Sequence, residues 1–284
     1  MGVIKSVLGS SGSLFRIPDA LDYDYQPKVV PYREKEMRVV ANVIRPLFGG
    51  RNAGNIFVFG SPGVGKTVAV KNLLKEIEEE SDDIETVYLN CWQKNTSFKI
   101  FNEICDLLGY KFTQNKRGDE LFEIIKKLIN KKSGVFVFDE VDKCEEFDFL
   151  YNLLGEIYKK SIVLITNNGN WLSKLEDRIK SRLVPGVLEF KSYNISEVRG
   201  ILKNRCDVAF VPDVWDSDAF EAVVEKTVEL GDMRKGMFLL REAGNSAENR
   251  SSKKISLSDV NETIEKLHLD FSVNDDSVLN DELK

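Results

Sequence analysis

Uninterrupted apolar runs punctuate a chain whose hydrophobic residues otherwise recur at helical spacing. Ile56–Phe59, Val87–Leu89, Val135–Phe138 and Ile162–Thr166 are short, nearly all apolar, and bounded by polar residues or glycine, as are strands covered on both faces; Val187–Phe190 supplies a fifth. Between them the spacing predicts helices. One carries Met37, Val40, Val43 and Ile44, and the next carries Val70, Leu73, Leu74 and Ile77. A third puts Ile100, Phe101, Ile104, Leu107 and Leu108 on one face and stops at Gly109; a fourth runs through Leu121, Phe122, Ile125, Leu128 and Ile129 and breaks at Ser133-Gly134. Strands alternating with helices in this way predict an α/β unit with about five parallel strands flanked by helices, whose ligands gather at the carboxyl ends of the strands.

Beyond Tyr193 the pattern is helical only. Asn194 with Glu197 forms a capping-box signature ahead of Val198, Ile201 and Leu202. Phe220, Val223 and Val224 mark a second helix, Met237 to Leu240 a third, and Ser256 with Asp259 opens a fourth through Val260, Ile264 and Leu267. Four segments result: a flexible leader over 1–24, rich in Gly and Ser at Gly9 to Ser13; an αβα base over 25–192; a small all-helical domain over 193–268; and an acidic tail over 269–284 expected to be disordered.

Charge and rare residues narrow the chemistry. The 284 residues carry 40 Lys and Arg against 46 Asp and Glu, a formal net charge of -6, so the chain as a whole is no electrostatic footprint for nucleic acid. Cys91, Cys105, Cys144 and Cys206 form no C-x-x-C pair and read as buried thiols in a reducing cytoplasm. His268 is the only histidine, expected at the surface near a helix end; its solitude removes His-based triads and multi-His metal sites. No apolar run approaches the ~20 residues that span a bilayer, so a cytoplasmic protein without a membrane partner is expected.

The densest chemical signal is Gly60-Ser61-Pro62-Gly63-Val64-Gly65-Lys66-Thr67, which fills every fixed position of G-x-x-x-x-G-K-[ST] between a predicted strand and a predicted helix. Glycines there let backbone N–H groups turn toward phosphate oxygens, Lys66 reaches the β- and γ-phosphates, and Thr67 offers a hydroxyl to Mg2+. Asp139-Glu140 ends a buried strand downstream: Asp139 suits a Mg2+ ligand acting through the ion's water shell, and Glu140 the orientation of attacking water. Asp142 and Lys143 read as surface residues. At the tip of the next strand either Asn167 or Asn168 can bond the attacking water and a γ-phosphate oxygen. Arg178 and Arg182 occupy a helical turn before the last strand, and an arginine there can offset phosphoryl charge in a neighbouring subunit, Arg182 being the first choice. Arg234, opening a helix of the small domain, can report the state of the γ-phosphate.

Together with Pro31-Tyr32-Arg33-Glu34, Tyr88-Leu89-Asn90-Cys91, Phe138 to Asp142, Arg178 to Leu183, and Gly231 to Arg234 followed by Leu239 to Gly244, these segments resemble the AAA+ ATPases. Within them the likeness is to the archaeal origin-recognition and cell-division-control initiator family, from about Tyr25 to Leu267. The resemblance implies a P-loop NTPase base with a helical AAA+ lid. It implies ATP or ADP with Mg2+, contacted by Pro31, Tyr32 and Arg33, by the loop from Gly60 to Thr67, and by Val68, with adenine between the Pro31 segment and the lid. Asn167 would be sensor one, Arg234 sensor two and Arg182 the finger. ATP binding and slow hydrolysis would then switch assembly on origin DNA and loading of the replicative helicase, alongside other AAA+ subunits or initiator paralogues. Gln93 to Lys99 corresponds to the region where initiators carry an extra helix that touches DNA.

Members of that family usually continue into a winged-helix domain, which takes roughly 70 to 100 residues more than the acidic tail supplies. A member lacking that domain, with a weakened hold on origin DNA, is therefore expected. Two other readings stand beside the initiator switch: an ATP-gated regulator that binds protein and never DNA, and an AAA+ helper of a mobile element.

Overall fold

The computed structural model describes residues 13–267, which divide into two compact units, one of residues 28–192 and one of 13–27 with 193–267. The expectations for His268, for the acidic tail and for the leader before Ser13 lie outside the described residues.

In the first unit the elements follow the predicted alternation: α1 (Glu34–Ile44), β1 (Ile56–Phe59), α2 (Lys66–Glu80), β2 (Ile84–Asn90), α3 (Ser97–Leu107), α4 (Gly118–Ile129), β3 (Ser133–Asp139), α5 (Asp148–Glu156), β4 (Lys160–Thr166), α6 (Asp177–Leu183) and β5 (Gly186–Glu189). All neighbouring strands pair in parallel, in the order β2-β3-β4-β1-β5. The twofold alternation of strand side chains sorts the apolar runs into two cores. Phe57, Phe136, Phe138, Ile162 and Leu164 face one core, with α3, α4 and α5; Ile56, Val58, Val135, Val137, Val163 and Ile165 face the other, with α1 and α2. A run apolar at every position is what a strand covered on both sides requires.

Some elements and boundaries differ from the sequence reading. Ser133 and Gly134 begin β3 rather than ending a helix, because they pair with Ile84 and Glu85 of β2. β2 is longer than Val87–Leu89, and α5 appears where no helix was expected, seated by Phe149, Leu150 and Leu153.

The second unit holds α7 (Ile195–Ala209), α8 (Ser217–Leu230), α9 (Met233–Asn249) and helical residues 257–267, which we call α10. Asn194 accepts from the Ser196 and Glu197 backbone N–H groups while Glu197 accepts from the Asn194 N–H, the predicted capping box. Asp259 accepts from the backbone N–H and hydroxyl of Ser256 at the start of α10.

The expected flexible leader is corrected from Ser13 onward. Leu14 O accepts from Val211 N at 2.9 Å, Arg16 N donates to Ala209 O at 2.7 Å, and Glu248 accepts from both Ser13 Oγ and Leu14 N at 2.7 Å. The Phe15 ring lies 4.7 Å from that of Phe210, Pro18–Leu21 forms a 3-10 turn, and Leu14, Ala20 and Leu21 are buried in the helical core. The Gly- and Ser-rich character ends at Ser13, after which apolar side chains have a core to enter.

Candidate active site

The phosphate loop leaves β1 and runs into α2, as the motif requires. Gly60 takes φ +153, and a Cβ there would stand 2.3 Å from the backbone oxygen of Phe190, so only glycine lets the loop leave the sheet beside that residue. Gly63 and Gly65 have φ 73 and 88, and Gly65 caps α2. A helix N-terminus fed by such a turn presents backbone N–H groups and positive potential to an anion.

Lys66 is buried at 7% exposure, and its ammonium donates to Gly60 O at 2.7 Å, Ser61 O at 2.9 Å and Asn167 Oδ1 at 2.7 Å. The strand-tip asparagines therefore separate. Asn167 joins the loop lysine, whereas Asn168 Oδ1 accepts from Asn170 N at 3.0 Å and builds a turn.

Asp139 ends β3 at 3% exposure. Its Oδ2 accepts from Thr67 Oγ1 at 2.6 Å and Tyr88 OH at 2.8 Å, and its Oδ1 from Glu140 N at 2.9 Å. Two residues 72 apart in sequence thus meet as the motif chemistry asks. Glu140 is half-buried and takes a left-handed backbone (φ 52, ψ 42), uncommon for a residue with a Cβ and a mark of sites where geometry is imposed. Asp142, expected at the surface, is instead half-buried and accepts from Thr166 Oγ1 of β4. The Asp139 carboxylate and Thr67 hydroxyl offer hard oxygen donors, a set that fits Mg2+ completed by phosphate oxygens and water.

Of Pro31, Tyr32 and Arg33, Tyr32 is exposed with a left-handed backbone (φ 65), while Arg33 is buried at 4% exposure. Arg33 Nε donates to Val64 O of the loop at 3.0 Å, Nη2 to Lys191 O at 2.5 Å and Nη1 to Glu36 at 2.9 Å, and its guanidinium covers the Phe190 ring at 5.3 Å. Sequence reasoning assigned it to the nucleotide; the geometry makes it an anchor of the loop backbone. Val68 is half-buried and packs against the core on the α1 and α2 side.

The two candidate fingers lie on α6, away from the loop contacts. Arg178 pairs with Glu176 at 2.6 Å and Asp148 at 2.8 Å; Arg182 donates to Tyr151 OH at 3.1 Å. In the helical unit Asp232 caps α9 by accepting from Arg234 N at 2.9 Å, and Arg234 Nε and Nη2 both return to the Asp232 carboxylate. The paired carboxylate pushes the Arg234 guanidinium further up, with the Tyr23 ring 5.8 Å from its centre.

In the segment expected to meet DNA, Lys94 pairs with Glu103 at 2.8 Å and Lys99 donates to Asn95 at 2.8 Å, while Trp92 is 64% exposed with Lys143 over its ring at 4.7 Å. All four cysteines are free and buried, and burial pushes the Cys206 thiol up to about 12. Among the described residues no helix is long and apolar enough to cross a membrane.

The hydrogen bond of Tyr88 to Asp139, the grip of Arg33 on the loop backbone and the contact of Asp142 with Thr166 were not foreseen from sequence. Tyr88 sits opposite Val137 in register, on the same face as Asp139, but only the β2-β3 adjacency reveals it.

Comparison with known proteins agrees with this fold. A family model for an AAA domain matches residues 50–168, and one for the Cdc6 AAA+ ATPase-type lid domain matches residues 199–265. The ORC1-type DNA replication protein 1 of Sulfurisphaera tokodaii is 32% identical over 274 residues, which take in 91% of this chain and 69% of that protein. The structure of the Aeropyrum pernix ORC1 protein in complex with DNA is similar with a TM-score of 0.79 at 28% identity, over 89% of this chain and 70% of that one. The Aeropyrum pernix ORC2 protein, solved in ADPNP-ADP complexes, matches with a TM-score of 0.78 over 89% of this chain and 72% of that one; at 19% identity this speaks for the fold alone. The chain spans about two thirds of the length of the curated relatives it matches.

Proposed function

The chain belongs to the ORC1-type DNA replication protein family of AAA+ ATPases, and from that premise we propose that it is an ATP-binding switch that hydrolyses ATP slowly and acts in the initiation of DNA replication. The observation that carries the reading is the convergence of Lys66 on Asn167 and of Thr67 on Asp139 at the mouth of the loop. Phosphoryl transfer needs positioning and charge neutralisation more than covalent help, and these four side chains supply both.

Lys66 exchanges loop carbonyl oxygens for β- and γ-phosphate oxygens. Asn167, whose contact with that ammonium supports the role, bonds the terminal phosphate and the attacking water as sensor one. Glu140 orients and polarises that water. Thr67 and Asp139 would hold Mg2+, whose charge when bound offsets that of the β- and γ-phosphate oxygens. Arg182 serves as the finger toward another AAA+ subunit. Arg234, as sensor two, has to exchange Asp232 for a phosphate oxygen before it reports anything. Tyr32 and Pro31 line the base, and Arg33 holds the loop in shape behind them.

Origin DNA, initiator paralogues and the replicative helicase are the partners this reading names, in the cytoplasm. A protein-only regulator is the second reading, favoured by the net charge of -6 and by the neutralisation of Lys94 by Glu103.

Calorimetric titration with ATP and steady-state phosphate release on three proteins test the assignment. Lys66→Ala is expected to stay folded and lose nucleotide binding. Glu140→Gln is expected to bind ATP as the unaltered chain does and to turn over at least about 100-fold more slowly. Unchanged affinity in the first variant, or unchanged turnover in the second, refutes the corresponding role.

A further inference from the structure

Tyr151 of α5 packs against both arginines of α6. The Arg182 guanidinium is centred 4.3 Å from the Tyr151 ring and that of Arg178 5.2 Å. Their charges are handled differently. Arg178 is committed to Glu176 and Asp148, whereas among the described residues Arg182 makes no ion pair; it is exposed, and its polar contact is the Tyr151 hydroxyl at 3.1 Å. A full positive charge is thus held at the surface by an aromatic face and one hydroxyl, without a carboxylate to quench it.

Gly155, one turn further along α5, makes room for this arrangement. A Cβ at Gly155 would lie 2.8 Å from Arg182 Nη1. Glycine is the poorest ordinary residue inside a helix, so its presence near the end of a nine-residue helix calls for a reason, and the guanidinium beside it supplies one.

We propose that Tyr151 and Gly155 are positioning residues for Arg182: they hold its guanidinium extended and unneutralised, ready for the triphosphate bound by another AAA+ subunit. This rests on the reading of Arg182 as the finger. The chemistry recognised is a terminal phosphoryl group gaining negative charge, which a planar guanidinium meets with paired donors. Arg178, neutralised beside the same ring, keeps two nearby carboxylates occupied. Asp148 and Glu176 would otherwise be free to capture Arg182.

The two residues allow a test in which stability and activity move in different directions. Gly155→Ala improves helix propensity, and the atom it meets is the far end of a flexible side chain, so the melting temperature is expected to hold or rise. The displaced guanidinium, however, should lower kcat by roughly tenfold to a hundredfold, the scale of a ~1 Å misplacement, with KM for ATP unchanged. Tyr151→Leu is expected to lower kcat similarly, and Tyr151→Phe, which keeps the ring, to retain most of it. Arg182→Ala is measured in parallel, with turnover followed as protein concentration rises. Wild-type kcat in both Gly155→Ala and Tyr151→Leu, with Arg182→Ala impaired, overturns the positioning role alone. Wild-type kcat in Arg182→Ala overturns the finger reading, and the positioning role with it.

Discussion

Asp232 spends its carboxylate twice, on the end of a helix and on Arg234, and this makes the helical unit sensitive to acid. Burial of Asp232 opposes its ionisation, but the Arg234 guanidinium and the Arg234 backbone N–H outweigh that and hold the carboxyl below the ordinary aspartate range. A carboxyl whose folded pKa lies below its unfolded one lends stability that is complete above the unfolded value, about 3.9, and fades as pH falls through the folded value. Asp232→Asn is therefore expected to melt lower than the unaltered chain at pH 7, with the gap narrowing as pH falls below the ordinary aspartate range, as followed by circular dichroism. A gap that persists unchanged in acid would mean that the capping geometry, not the charge, carries the effect. Lys66, Thr67 and Asp139 were legible in sequence because each belongs to a motif whose chemistry dictates its neighbours. The grip of Arg33 on the loop was not legible because nothing in Pro31-Tyr32-Arg33 indicates which way each side chain turns, and the guanidinium found Val64 and Lys191 through the fold.

At the scale of elements, apolar runs of four or five residues announced the central strands, since a strand covered on both faces has no polar positions to blur the signal. α5 was not legible because its three buried side chains, Phe149, Leu150 and Leu153, span little more than one turn. The segment from Ser13 to Tyr25 was not legible for another reason: its partners Phe210 and Glu248 lie some two hundred residues away, and no local pattern announces them. Its contribution is testable. Burying Leu14 and Leu21 stabilises by roughly 1.5–3 kcal/mol each. The two hydrogen bonds to Glu248 add about 1 kcal/mol apiece or somewhat more. Deleting residues 1–26 should therefore destabilise the helical unit by several kcal/mol, seen as early hydrogen exchange in α7 and α9, while exchange in β1, β3 and β4 stays slow. Equal protection of α7 and α9 in both proteins would reduce the segment to an ornament of the surface.

For the molecule as a whole the decisive quantity is charge, because an acidic chain can hold DNA only through local cations. With 46 carboxylates against 40 basic side chains the distant field repels phosphate, and at physiological salt that field is screened beyond about 8 Å. What counts is the segment around α3. There Lys94 is neutralised by Glu103 at 2.8 Å and Lys143 is partly so by Asp142 at 3.8 Å, whereas among the described residues the Lys99 ammonium meets the neutral Asn95 side chain and no carboxylate. One or two phosphates engaged through this segment give a log–log salt slope of roughly -1 to -2, since each contact contributes about -0.9. Glu103→Gln should free Lys94, tighten binding and steepen the slope by about one, whereas Lys99→Ala should flatten it by the same amount. Fluorescence anisotropy with duplex DNA at several salt concentrations reads both changes. The pair of variants separates an electrostatic contact from an aromatic one: were exposed Trp92 and Phe98 the main grip, binding would persist in Lys99→Ala with its slope unaltered, and Glu103→Gln would change nothing. A protein that binds no duplex at any salt, with ATP or without, would favour the protein-only regulator, and Lys94 would then be a cation that the fold had already assigned to Glu103.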